Sequence, residues 1–186
     1  MIISFNGDEG SGKSTVAKMV AKKLNYPRYY MGQIFRDMAA KRGLTLVEYL
    51  TLGETDPAVD KEVDEYMISL AKKEKDFVVE SRTAWHLIPK SVKVYLEVDE
   101  TEGAKRIFEE LQHKNSRNEI KTDLSLKSVL QKTQERRKTD DKRYLKYYGI
   151  NIRDKKNYDF ILNTTALTIP EVLEKVMRFI NSNLNA

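Results

Sequence analysis

An α/β fold, with a central parallel five-stranded sheet flanked by helices, is predicted by three observations. Five short apolar runs alternate with longer stretches of helical periodicity. The first run leads straight into the glycine-rich string Gly7-Asp-Glu-Gly-Ser-Gly-Lys-Ser-Thr15. No repeat, low-complexity tract or Pro/Gly-rich linker divides the 186 residues, so one domain, 1–186, with one core is expected.

Residues 1–5 read as a buried strand, followed by the glycine-rich loop and a helix over 13–24, where Val16, Met19, Val20 and Leu24 recur at helical spacing. Residues 28–30 suggest a short second strand. Helices are expected over 32–42, stopped by Gly43, then over 45–52 and 57–73. Strands follow at 76–80 and 92–98, then a helix capped by Thr101 that runs to about residue 111. Residues 113–123 are polar, charged and aperiodic, which predicts a mobile loop. A helix over about 124–146, a strand over 158–162 and a last helix opened by Thr168 and Pro170 complete the chain. Strands alternating with helices call for a parallel sheet covered on both faces. The first strand should be central, with ligand at the carboxyl ends of the strands.

The composition bounds the function. No apolar run approaches the roughly 18 residues of a membrane span, and the apolar start passes into the loop without a cleavage region, so neither a membrane nor a secretory signal is expected. There are no cysteines, which excludes disulfides and thiolate metal sites and fits a cytoplasmic protein. Two histidines far apart in sequence, His86 and His113, do not make a zinc site. The net charge of +5 is spread without a block of like charges, and no RNP-type or zinc-finger motif accompanies it. A polyanionic small molecule is a better match to that charge than nucleic acid.

The glycine-rich string fits G-x-x-x-x-G-K-[ST], the phosphate loop of the P-loop NTPase fold, a pattern met by chance in about one chain in a hundred of this length. It lies between a predicted strand and a predicted helix, as the motif requires. Gly7, Gly10 and Gly12 allow the backbone to curl its N–H groups inward onto phosphate oxygens, and the helix start adds partial positive charge. Within the ATP-binding stretch Gly7, Asp8, Glu9, Gly10, Ser11, Gly12, Lys13, Ser14 and Thr15, Lys13 is expected to reach the β and γ phosphates and Ser14 to ligate Mg²⁺.

A GTPase would carry Asn-Lys-x-Asp and Asp-x-x-Gly, and neither occurs. A small kinase remains, and phosphoryl transfer calls for arginines converging on the phosphates. Arg36 sits one turn into its helix. Arg82 follows the strand 76–80 at the ligand edge of the sheet, and Glu80 there could hold a Mg²⁺-bound water or pair with Arg82 or a lysine. The long helix carries Arg136, Arg137, Asp140, Asp141 and Arg143; at about 3.6 residues per turn Arg136, Asp140 and Arg143 share a face. A solvated salt-bridge helix has the same pattern, but the polar loop before it points to a lid over about 112–143. Residues 31–73 would form the acceptor-binding segment.

Together these stretches resemble the cytidylate kinases, in particular their short archaeal-type branch. The resemblance runs through the phosphate loop, Gly32-Gln-Ile-Phe-Arg36, Lys41–Leu46, Thr55–Asp64, Val79-Glu-Ser-Arg82-Thr-Ala-Trp85, Lys142-Arg143-Tyr144, Tyr148-Gly-Ile150 and Asn163-Thr-Thr165. It implies phosphoryl transfer from ATP, with Mg²⁺, to CMP or dCMP by a monomeric enzyme. It also implies that Gly32, Arg36, Arg82 and Asp140 bind the acceptor, while Lys13, Arg82, Arg137 and Arg143 act on the transferring group. Arg106 would join the ATP side. Three departures cluster around the acceptor: Met31 before Gly32, Ser81 where the family has glycine, and Trp85 directly after Ala84. The acceptor therefore stays open between CMP/dCMP and another nucleoside monophosphate or related metabolite, with a nucleic-acid-binding ATPase as a reading from a different class. One of Asp56, Asp60, Glu62, Asp64 and Glu65 could accept from a cytosine amino group, although for any single one of them a solvated helix face is the favoured explanation. Trp85 is expected to have no chemical role.

Overall fold

The computed structural model describes residues 1–113 and 125–184. The predicted mobile loop falls almost wholly outside them.

The strands are β1 (Ile2–Gly7), β2 (Arg28–Tyr30), β3 (Phe77–Glu80), β4 (Val92–Glu97) and β5 (Phe160–Asn163). They form one parallel sheet in the order β2-β3-β1-β4-β5. β1 is central, as expected, pairing Phe5 with Glu80 on one side and Asn6 with Tyr95 on the other. Five of its six residues are buried, because a strand covered on both faces has no solvent side to alternate towards. The helices are α1 (Lys13–Leu24), α2 (Met31–Lys41), α3 (Leu46–Leu52), α4 (Ala58–Lys73), α5 (Ala84–Leu87), α6 (Glu100–Gln112), α7 (Leu126–Tyr148) and α8 (Ile169–Leu184).

Two apolar layers cover the sheet. On one face Val16, Val20, Val176 and Ile180 of α1 and α8 meet Ile3, Phe5, Val94 and Leu96. On the other, Val63, Met67 and Leu70 of α4 meet Phe77 and Val79, with Met31 and Ala84. Met31 is thus a core residue as well as the start of α2.

Local chemistry sets the element ends. Thr45 and Glu48 close a capping box at α3. Thr101 does not cap α6: Asp99 does, accepting from the N–H groups of Thr101 at 2.9 Å and Glu102 at 3.1 Å, which leaves Thr101 inside the first turn. A carboxylate at the helix start also answers the dipole, which a hydroxyl does not. The long helix is shifted by two residues from its expected span, opened by Ser125 and ended by Gly149 at φ 67°. The short α5 has no sequence signature, since four residues show no periodicity. Trp85 in α5 packs against Tyr158, 5.9 Å between centroids, in keeping with a packing role.

At the phosphate loop, Gly10 has φ +79°, and a Cβ there would lie 2.2 Å from the Gly103 carbonyl oxygen. This contact brings the start of α6 against the loop, and only glycine permits it. Among the described residues no helix is long and apolar enough to cross a membrane.

Candidate active site

The strands' carboxyl ends, the loop and helices α2, α4 and α7 enclose an open cleft of about 1040 Å³. Gly10, Lys13 and Ser14 form its floor, at the start of α1. Lys13 Nζ donates to the Asp8 carbonyl at 3.0 Å, closing the loop on itself. Burial pulls the ammonium down to about 8; Glu9 opposes that shift and Arg82 adds to it.

Five cations (Lys13, Arg36, Arg82, Arg136, Arg143) and five carboxylates (Glu9, Asp60, Asp64, Glu80, Asp140) line the cleft. Most are chained. Arg82 bridges Glu9 and Asp140, each at 2.7 Å. Asp140 also accepts from Arg143 at 3.4 Å, and Arg143 Nε faces Asp60 at 3.2 Å. The row Glu9–Arg82–Asp140–Arg143–Asp60 therefore crosses the cleft from the phosphate loop to α4. Burial alone would lower the Arg82 and raise the Glu9 pKa, but their mutual attraction prevails. Arg82 stays firmly charged, and Glu9 is held down to about 2 by Arg82, Lys13 and Arg153. Burial likewise opposes ionisation of Asp140, and Arg82, Arg136 and Arg143 more than offset it.

At the α4 end the balance reverses. Burial raises Asp60 to about 6 against the pull of Arg143, and Asp64 and Asp140 add to the rise. Asp64, one turn on, is raised by burial too, although Tyr148 and Thr83 both donate to it. Ser81, at the departure noted above, shares a hydrogen bond of 3.1 Å with Thr83.

Arg36 differs from the other arginines. It donates to the Gly32 carbonyl at 3.0 Å and lies over the Tyr30 ring, and among the described residues no carboxylate pairs with it. Gly32 is pressed against that ring: a Cβ would come within 2.6 Å of it. Lys13 likewise has no carboxylate within ion-pair distance among the described residues.

Other predicted residues lie elsewhere. Arg137 reaches Glu100 at 2.9 Å and Asp8 at 3.4 Å, in a small side pocket behind the loop. Arg106 is not brought to the cleft; it donates to the Thr164 and Thr165 carbonyls, both at 3.0 Å, and fastens the turn after β5. Thr164 in turn donates to the Ser11 carbonyl at 3.2 Å. Asp8 turns its carboxylate inward to Tyr95, at 2.9 Å, and the Val98 N–H. Thr15 is exposed. Glu80 pairs with Arg28, a partner the sequence did not suggest, and among the described residues nothing hydrogen-bonds its buried Oε2.

Sequence reasoning missed Arg153. Its guanidinium meets Asp8 at 3.1 Å and Asp141 at 3.0 Å, with Glu9 at 3.7 Å, and so ties the phosphate loop to α7. A lone arginine in a loop carries no motif. The only signal available was the need to neutralise two adjacent acids, Asp8 and Glu9, inside an anion-binding loop.

Residues 2–166 match the family model described as the cytidylate kinase-like family. The chain is 36% identical over 165 residues to a cytidylate kinase of Thermococcus kodakarensis, covering 88% of this chain and 79% of that protein. It is 33% identical to one of Archaeoglobus fulgidus, covering 96% and 93%. Among solved structures, an uncharacterized protein from Eubacterium ventriosum superposes with a TM-score of 0.73 at 19% identity, over 98% of this chain and 99% of that one. A shikimate kinase from Bacteroides thetaiotaomicron gives 0.64 at 14%, over 97% and 98%. At such identities these two establish the fold alone. The family match spans the phosphate loop, the whole arginine–carboxylate row and the sheet that positions them, and this chain belongs to the cytidylate kinase-like family.

Proposed function

We propose that this protein transfers the γ-phosphoryl group of ATP to CMP, with dCMP as a second acceptor. Family membership supports the reaction class. The observation that carries the assignment to this cleft is the contrast among its cations. Arg82 and Arg143 are held by carboxylates, whereas among the described residues Lys13 and Arg36 have none and await anionic partners. Lys13 lies at the loop, where the donor phosphates belong, and Arg36 on α2, where the acceptor phosphate belongs. Arg82, between them, holds the acceptor phosphate in line with the donor. Binding sets the geometry, and charge neutralisation lowers the barrier without a covalent intermediate.

In this reading residues 31–73 carry the acceptor, and the segment 112–143 closes over the site and excludes water. Ser14 and Glu80 suit Mg²⁺: both offer oxygen to a hard cation, and among the described residues the buried Glu80 Oε2 has no hydrogen-bond partner. Bound there, the metal would neutralise phosphate charge. The enzyme acts in this proposal as a cytoplasmic monomer that needs neither membrane nor nucleic acid. Arg137 and Arg153 hold the loop's own acids, so their part is to shape the phosphate site.

A coupled assay of ADP release across CMP, dCMP, UMP, AMP and GMP tests the proposal. CMP and dCMP are expected to lead; turnover of none above the ATP-only rate would refute it.

The depressed Lys13 pKa gives a second expectation. Nucleotide phosphates favour the charged ammonium, so the bound state holds more protons than the free state once the pH exceeds about 8. ADP affinity should therefore be flat below about 8 and fall as pH rises through it. Titration calorimetry at pH 8.5 in two buffers of different ionisation enthalpy should register proton uptake, and Lys13→Met should abolish it. Equal heats in the two buffers with the unmodified protein would contradict the assignment of Lys13 to the phosphates.

A further inference from the structure

We propose that Asp60 reads the acceptor base, its carboxylate accepting a hydrogen bond from the exocyclic amino group of cytosine. The inference rests on the proposed CMP kinase activity and assigns the base-recognising residue within it.

The acidic residues of 56–65 separate by what they already hold. Asp56 accepts from the Ala58 N–H at the start of α4. Glu62 pairs with Arg42 at 2.7 Å, and Glu65 faces Lys61 at 3.8 Å, all four largely exposed. Asp64 is buried but occupied, with Thr83 donating to one oxygen and Tyr148 to the other. Among the described residues, Asp60 alone of the five is buried, lines the cleft and has both carboxylate oxygens without a hydrogen-bond partner. Its ion pair with Arg143 places charge beside it but leaves that demand unmet. A buried carboxylate in this condition is costly unless something completes it.

Position agrees with chemistry. Asp60 ends the ion-pair row that starts at Glu9 on the phosphate loop, the far end of the cleft from the donor. An acceptor whose phosphate meets Arg82 and Arg36 must extend its base away from the loop, towards α4. Cytosine presents an amino donor on that edge, and uracil presents a carbonyl oxygen in the same place. The carboxylate attracts the first and repels the second.

The test compares kcat/KM for CMP, UMP and pyrimidin-2-one riboside monophosphate, which lacks the amino group, in the unmodified protein and in Asp60→Asn. A hydrogen bond to a charged group corresponds to about 10- to 100-fold. The unmodified protein should favour CMP over the deaminated analogue by about that factor. Asp60→Asn should lose about that factor with CMP and little with the analogue, and its CMP-over-UMP preference should shrink at least as far, with the KM for ATP within about twofold. Retained preference in a folded Asp60→Asn protein overturns the proposal. Should that variant not fold, as judged by circular dichroism, Asp60→Ser is read the same way. Equal turnover of CMP and the analogue by the unmodified protein overturns it with no variant at all. If the unmodified protein phosphorylates no monophosphate, the kinase proposal fails and this one with it. If it phosphorylates CMP but Asp60 proves indifferent, only the assignment of Asp60 falls.

Discussion

Replacing Lys13 with alanine is expected to lower phosphoryl transfer at saturating substrates by about 10²- to 10³-fold, the usual cost of removing one preorganised charge donor from a transition state. The protein should remain folded. Lys13 is the first residue of α1, where alanine is an excellent helix former. The lysine is also a burden to the empty protein, because burial depresses its pKa to about 8. The sign follows from linkage: a lysine titrating lower in the folded than in the unfolded state adds stability above its unfolded pKa. That contribution is lost as pH falls through about 8. At neutral pH the charged ammonium therefore opposes folding, and its removal should leave the melting temperature unchanged or higher. Near-normal turnover by a folded Lys13→Ala protein would refute the role given to Lys13.

Arg82→Ala should do the opposite to stability while also impairing activity. Its guanidinium compensates Glu9 and Asp140, both largely buried, and its loss leaves two carboxylates facing each other's field. Breaking a buried pair from one side costs about 3–5 kcal/mol, so a clear fall in melting temperature is expected. Measured well below that temperature, kcat/KM for CMP should drop by about 10²-fold or more, with ATP affinity spared. Comparable loss of ATP affinity would move Arg82 to the donor side. Arg82→Lys should recover part of the stability and little of the activity, because an ammonium cannot hold two carboxylates in the planar fork that a guanidinium offers.

The two variants test different parts of one design. The cleft holds Arg82 and Arg143 in place before any ligand arrives, using carboxylates from α4, α7 and the phosphate loop. Such pairing limits the reorganisation left for the moment of transfer. Lys13 and Arg36, which among the described residues have no carboxylate partner, mark where phosphate charge completes the set.

How much of this was legible beforehand depends on how local each feature is. The phosphate loop and α1 were read to the residue, because a glycine pattern and one turn of helix are set by neighbours in sequence. The five strands were recognisable as apolar runs, and the central place of β1 followed from the loop it carries. The order β2-β3-β1-β4-β5 was not legible, since register between strands 50 or more residues apart leaves no local trace. Neither was the Arg28–Glu80 pair, a product of that register, for which Arg82 or a lysine had seemed the natural partner. Arg106 came to the ATP side only through the family resemblance, and its bonds to the Thr164 and Thr165 carbonyls, made across 58 and 59 residues, leave no trace in its own helix. Arg153 was invisible for the converse reason: only the return of the chain after α7 brings it under Asp8 and Glu9. The acidic run of α4 showed its helical phase but not which carboxylate is left without a hydrogen bond among the described residues, which depends on Thr83 and Tyr148 from other elements.

The chemistry assigned to this cleft is the transfer of a phosphoryl group from ATP to cytidine monophosphate. Incubating the protein with γ-³²P-ATP, Mg²⁺ and unlabelled CMP, and resolving the nucleotides, tests it most directly. Label should pass into CDP, at its β-phosphate, at a rate that depends on CMP and collapses in Lys13→Ala. Label released only as inorganic phosphate, or recovered unchanged in ATP whether or not CMP is present, would contradict the claim.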